Sequence, residues 1–423
     1  MRKCIIPVFL LIAILDPCFT NAQENGQDGF AVKFGGFIKN DFFYDSRQTV
    51  AAREGHFMLW PAAPLYDLEN RDTNEASSFN FLSIQTRLNA AISIPDAFGA
   101  KTSGMVEGAF FGHSNPDING FRLRHAWVKF NWDNTELLFG QFWNPLFVTS
   151  NFPDVVSFNT GCPFQPFSRN PQVRLTQSLG DFRVIASALS QRDFANVGPW
   201  GASSSYLRNS TIPDLHAQVH YVHGGAGILT QFITGGGISY KKIVPELLTQ
   251  QGYITDAGVT GITWMAFARA AFQPVTVKAQ FIAGQNVTDL LMIGGYGISR
   301  IINPERGLVE YVPLQTTSYW IDMHTNGQTL QFGIFGAISE NRGATDNLAE
   351  GTTVTGFGTN IKSTYRVSPR IIFNSGRARF ALEGEYSAAN FGTIDLVRNS
   401  KGIPVDVDQV ANFRVLLGVY LFL

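Results

Sequence analysis

Three histidines, His216, His220 and His223, are spaced as if they could gather a metal ion. On a strand, however, four residues part His216 from His220 by roughly 13 Å, and His223 falls in a turn on the other face. One ion cannot bridge that span. These residues read as pore-lining or turn histidines, and no metal centre is expected. The triplet Gly235-Gly236-Gly237 has no helix behind it, so it is not a phosphate loop. No nucleophile motif stands out among the serines and histidines. The sequence therefore assigns no catalytic residue and no cofactor, and enzymatic activity is not expected.

Arginines carry more information. Arg87 sits among Ser83, Gln85 and Asn89, Arg122 and Arg124 flank Leu123, and Arg174 lies between Val173 and Leu175. Further on, Arg377, Arg379, Glu383 and Glu385 share one parity, opposite Ala378, Phe380, Leu382 and Tyr386. An arginine facing lipid near the bilayer midplane costs about 2–4 kcal/mol, so such residues on membrane-crossing strands should face a wet interior. A basic strip on one wall would offset the desolvation of an anionic solute through forked guanidinium contacts. Equally, these arginines could simply pair with lumen acids such as Glu107, Glu383 and Glu385. Both readings stay open at this point.

Residues 144–170 combine Pro145, Pro153, Pro163 and Pro166 with Phe147, Phe152, Phe158, Phe164 and Phe167. A segment this long and aromatic should fold back against something. As a third outer loop it could enter a barrel and narrow it, with Asp154, Phe158, Phe164 and Arg169 as constriction residues facing the arginine wall. The alternatives are an outer cap or a subunit contact. Trp127, Trp132, Trp143 and Tyr420 are expected in interfacial aromatic girdles.

The elements that must position these residues have period two. In residues 81–94, Leu82, Ile84, Thr86, Leu88, Ala90, Ile92 and Ile94 fall on one face, and Ser83, Gln85, Arg87, Asn89 and Ser93 on the other. The C-terminus repeats the pattern: Phe413, Val415, Leu417, Val419, Leu421 and Leu423 oppose Asn412 and Arg414. Tight turns are signalled at Pro95-Asp96, Asp133-Asn134, Gly180-Asp181, His223-Gly224-Gly225, Gln273-Pro274, Asn326-Gly327 and Ser375-Gly376. Long irregular stretches alternate with them at 47–77, 112–119, 144–170, 193–212, 244–256, 286–315, 341–353 and 392–408. This rhythm predicts an all-β fold: a transmembrane antiparallel β-barrel of about 16 strands with short periplasmic turns and long outer loops. A soluble β-sandwich explains the alternation but not the short and long rhythm. No apolar run reaches 18 residues, which excludes a helical membrane protein.

Composition agrees. Of 423 residues only 15% are charged while 13% are aromatic, too few charges to furnish a wholly wet surface. A 45% apolar content excludes disorder, and a net charge of −1 gives no basic excess for nucleic acid. Arg2 and Lys3, an apolar run from Cys4 to Leu15 and Thr20-Asn21-Ala22 read as a signal peptide over residues 1–22, leaving one barrel over 23–423. Cleavage removes Cys4 and Cys18, so Cys162 is left without an intrachain partner.

The segment FRLRHAWVKFNWDNTELLFGQFWNPLF (121–147), with PQVRLTQ (171–177) and PDLHAQVHY (213–221), resembles bacterial porins of the DcaP-like group. That group is related to the phosphate-selective porins O and P. The resemblance implies 16-stranded, trimeric outer-membrane channels for small, often anionic or dicarboxylate solutes, with an inward third loop and lumen arginines. It places Arg122, Arg124 and Arg174 on the wall and residues 144–170 at the constriction. Two departures stand out. Members often carry an N-terminal coiled coil, whereas the first strand here is expected near Phe30, and outer-membrane proteins usually end in Phe where this chain ends in Leu423. The expected function is passive diffusion of small hydrophilic, anionic solutes through an outer-membrane homotrimer. Its partners are membrane lipid and solute, not nucleic acid. The alternative is an adhesion or assembly barrel acting through its surface loops.

Overall fold

The computed structural model describes residues 29–112, 115–224 and 229–423. The expected signal peptide and its cleavage point lie outside the described residues. Among the described residues sixteen staves form one closed barrel. They are β1 (Ala31–Asp45), β2 (Ser78–Leu82 continued by Arg87–Ala97), β3 (Ala100–Ala109), β4 (Arg122–Asn131), β5 (Thr135–Trp143), β6 (Arg169–Leu179), β7 (Phe182–Leu189) and β8 (Asp214–Gly224). The second half holds β9 (Leu229–Ile243), β10 (Val259–Phe272), β11 (Val275–Gln285), β12 (Leu308–Thr325), β13 (Leu330–Ala344), β14 (Ile361–Ser375), β15 (Ala378–Thr393) and β16 (Val405–Phe422). Each stave pairs antiparallel with its neighbours in sequence, and β1 closes on β16 with Asp41 opposite Gly418. Closure leaves no unpaired edge, which a lipid-embedded sheet cannot tolerate.

The period-two pattern sorts the wall. On β16, Phe413, Val415, Leu417 and Leu421 face outward while Asn412, Arg414 and Leu416 are buried inside. On β15, Phe380, Leu382 and Tyr386 face outward, and Glu383 and Glu385 inward. The expected single face over residues 81–94 is corrected. Phe79 and Phe81 point outward on the first part of β2, and Leu88 and Ile94 on the second. The stave breaks at residues 83–86, where Ile84 turns inward and is 3% exposed. The break shifts parity by one residue, so Leu82 and Ile84 belong to the interior. Gly36 makes this crossing possible. Its φ is +139°, and a Cβ there would sit 2.0 Å from the Arg87 carbonyl oxygen.

All eight expected long connections appear at one end: L1 (46–77), L2 (110–121), L3 (144–168), L4 (190–213), L5 (244–258), L6 (286–307), L7 (345–360) and L8 (394–404). The first tight turn falls at Phe98-Gly99, past the expected Pro95-Asp96, and both its residues are left-handed at φ +55° and +70°. The expected turn at His223-Gly224-Gly225 runs beyond the described residues. L6 and L7 raise the rim, because Gly294–Asn303 pairs with the start of β12 and with Thr355–Phe357. The largest apolar cluster lies inside the loop end. There Phe57, Leu59 and Trp60 of L1 meet Phe111, Phe147, Phe158, Phe167, Ile293 and Ile361.

Candidate functional site: a lumen crossed by the third loop

L3 runs into the barrel and is pinned to the wall opposite the staves that launch it. Lys39 on β1 donates its Nζ to the Val156 carbonyl at 2.8 Å. Glu383 accepts the backbone N–H groups of Val156 and Ser157 at 2.7 and 3.0 Å. Arg366 on β14 donates to the Cys162 carbonyl at 2.8 Å, and Trp320 on β12 donates its indole N–H to Gln165 at 2.7 Å. Asn151 and Gln280 tie the near end of the loop to β11. Backbone groups are thus satisfied by lumen side chains, as a buried irregular segment requires. Phe158 and Phe164 are both almost fully buried. Phe158 stacks on His56 of L1, and Phe164 packs on Phe335 and Trp320.

The facing wall is rich in arginine. On β4 a register shift between Glu107 and Gly108 of β3 turns both Arg124 and His125 inward. Arg124 donates its Nε to Glu107 at 2.6 Å, and Arg87 lies 3.8 Å from the same carboxylate. Arg122 pairs with Asp193 of L4, and Arg169 reaches the same aspartate at 2.7 Å. Arg169 is the first residue of β6, not part of L3 as expected, because its ladder partner is Trp143 at the end of β5. Arg174 also faces inward on β6, donating to Gln172 and to the Trp143 carbonyl. Two inward-facing acids therefore serve Arg87, Arg122, Arg124 and Arg169. Both sequence readings have a place here: the arginines do pair with lumen acids, yet they outnumber them.

Between L3 and this wall lies a cavity of about 460 Å³ lined by Phe37, Arg87, Arg124, Phe152, Asp154, His324, Arg370, Arg379 and Tyr420, among others. A second lobe of about 450 Å³, on the turn-end side of L3, is lined by Lys129, Glu136, Phe142, Arg174, Arg183 and His220. Phe147 borders both. Asp154 shares the first cavity with Arg87 and Arg124, but it is paired to Lys278 at 2.6 Å and to His324 at 3.2 Å. Arg377 is corrected. It lies exposed in the turn after Gly376, beyond the end of β14, and does not line the pore, whereas Arg379 lies over the Tyr420 and Phe422 rings. Trp127, Trp143 and Tyr420 also leave the expected girdle. Trp127 shares the inward face with His125 and Lys129, Trp143 stacks on Phe147 at 3.9 Å, and Tyr420 lies under Lys39 at 4.8 Å. Trp132, in the turn after β4, remains exposed.

His216 and His220 are buried on the inner face of β8, and His223 is exposed at its end, 3.7 Å from Asp181. Asp154, Asp322 and His324 bring ligand-type atoms within 4.8 Å of one another. Lys278 and a forked Arg370 already neutralise both of those carboxylates. Cys162 is free and buried in L3, and burial pushes its thiol up, away from reactivity. In L1, burial pushes His56 below the usual histidine value, against the pull of Asp41, which its Nε2 meets at 2.8 Å.

Sequence reading did not single out Lys39, Lys278, Arg366 or Arg370. A signal existed. Each is a charge at inward parity in an alternating strand, as Lys39 is in FIKND, two residues before the equally inward Asp41. Arg53 and Arg192, which sit in loops, had no such signal.

A closed sixteen-stave barrel with an apolar outer wall, a charged interior and an inward third loop has the architecture of the outer-membrane porins. Comparison with solved structures agrees. The outer-membrane channel DcaP of Acinetobacter baumannii superposes with a TM-score of 0.66 at 14% identity, over 93% of this chain and 98% of that one. The anion-selective porin of Comamonas acidovorans gives 0.55 at 11% identity, over 93% of this chain and 100% of that one. In vitro folded OmpT of Vibrio cholerae, an outer membrane protein in its trimer form, gives 0.52 at 13% identity, over 94% and 100%. No protein-family model and no curated protein matches the sequence. The shared property is the fold.

Proposed function

We propose that this chain is an outer-membrane porin of the DcaP-like kind, passing small hydrophilic solutes by diffusion and favouring anions. In this reading the turn end faces the periplasm and the loop end the exterior. The observation that carries it is the first cavity, with L3 held on one side and Arg87, Arg124 and Arg379 among the residues that line it from the walls. A solute there meets guanidinium groups that exceed the local acids, so an anion would recover part of its lost hydration. The likeness to an anion-selective porin supports the sign of that preference, and the likeness to a trimeric barrel supports a homotrimer here. Nothing in the passage calls for a chemical step.

Liposome swelling tests the reading. Vesicles carrying the refolded barrel should swell in small sugars, and faster after residues 153–164 of L3 are replaced by a short polar linker. Failure of both proteins to admit any solute would remove the porin reading and favour a barrel acting through its surface loops.

A further inference from the structure

The two cavities beside L3 both reach the turn end of the barrel. The first is lined there by Gln331 and Phe332 at the start of β13, and the second by Asp133 and Asn134 of the turn after β4. A third cavity, of about 410 Å³, lies at the loop end among L4, L6 and L7. It shares no lining residue with either of the others. Between them stands the large apolar cluster. Phe147, Phe158 and Phe167 present it to the first cavity, and Phe194, Leu291 and Phe357 present it to the third. The L1 hairpin joins the two sides. Phe57 lies 5.4 Å from Phe158 and 5.1 Å from Phe167 on the inner side, and 6.3 Å from Phe194 on the outer side. Trp60 meets Phe357 at 4.8 Å. An apolar septum of this kind excludes water, and an ion entering it would shed its hydration.

L3 is pinned into this septum by side chains of the staves. The L1 hairpin is held differently. Its strands, Thr49–Ala52 and Phe57–Pro61, pair only with each other among the described residues and join no stave. A two-stranded ribbon has little stability of its own, so its position depends on docking. The seat is defined, because Arg414 and Arg366 donate to the Gly55 and Leu59 carbonyls at 2.8 and 2.7 Å. Docking is costly at the tip. Arg53 is 2% exposed against the Phe111 ring at 4.4 Å, and its Nε and Nη1 have no hydrogen-bond partner among the described residues. Arg53 and Glu54 also both have left-handed φ, +58° and +52°. Leaving the seat would hydrate Arg53 and give up the ring contacts, the opposed terms of a two-state element.

We infer that the L1 hairpin, residues 49–61, is a gate. Docked on L3 it shuts the lumen between the first cavity and the loop end, and the channel conducts when the hairpin swings away. Phe57 and Trp60 are the closing residues, since they alone carry L1 rings onto both L3 and the outer loops. L3 then sets the width of the open passage, and L1 sets how often it is open. The gate rests on the porin reading and adds a closed state to it.

Single-channel recording in planar bilayers tests the gate. The parent chain should open in brief steps from a closed baseline. A variant with residues 50–60 replaced by a short Gly-Ser linker should occupy the open level for about tenfold more of the time. Those residues belong to no barrel ladder, so the staves keep their pairing. Phe57→Ala combined with Trp60→Ala should shift the open fraction the same way, which keeps the test valid if the linker variant does not refold. Leu65→Ala combined with Leu68→Ala, both exposed in L1 outside the hairpin, should match the parent. Equal open fractions in the parent and the hairpin variants, or an equal rise in the Leu65 and Leu68 variant, overturn the gate alone. No current from any of the four proteins would instead remove the porin reading on which it rests.

Discussion

At the scale of single residues, the interior is governed by how many acids each arginine can find. Arg366 and Arg414 are matched, to Glu385 and Asp45 respectively, and act as fasteners for L3 and L1. Arg87 and Arg379 are not fully matched and border the first cavity. Converting both to Gln should move the zero-current potential of the channel measurably toward zero, and an unchanged potential would remove them from the selectivity account. Asp193 supplies a pH test. Burial alone would raise it, but Arg169 and Arg122 hold it below the ordinary carboxylate value of 3.8. A lowered carboxylate stabilises the fold above its ordinary pKa, and that contribution fades as pH falls through the folded value. L4 should therefore still resist pepsin at pH 3.8 and lose that resistance only below it, while Asp193→Asn should be cut within residues 190–213 throughout the acid range. Identical profiles would show that the ion pairs do not hold the loop.

At the scale of elements, the staves were legible in the sequence and the loops were not. Alternation in residues 413–423 and 378–386 gave the correct faces because a stave's side chains have only two directions available. It failed over residues 81–94, where a local break reset the parity and where Gly36 of the neighbouring stave admits the Arg87 carbonyl. Gly36→Ala would force that contact apart and strain a left-handed residue, at a cost of roughly 1–3 kcal/mol. The expected readout is a lower temperature for the mobility shift from folded to unfolded barrel on electrophoresis. An unshifted transition would mean that β1 and β2 can separate there without penalty. L3 was marked by its aromatics, yet its anchoring groups were scattered over staves from β11 to β16 and β1. Their convergence depends on barrel closure, which no local pattern encodes. L1 carried no comparable signal, although Phe57, Met58, Leu59 and Trp60 prove to be among the most buried residues.

At the scale of the whole molecule, the scarcity of charge and abundance of aromatics resolve into one shell and one lumen. Apolar side chains face outward on stave after stave, while the limited charges concentrate where water and loops meet inside. A net charge of −1 conceals this partition, because the acids fastening L3 offset arginines elsewhere on the wall. What matters to a permeating ion is the local field in the cavity, not the total. The most direct measurement is the zero-current potential of the unmodified channel in a planar bilayer under a potassium chloride gradient. Its sign should be that of chloride permeating faster than potassium, alongside stepwise conductance. A potential of cation-selective sign would contradict the arginine-lined lumen as the source of selectivity, and the absence of conductance steps would contradict the channel itself.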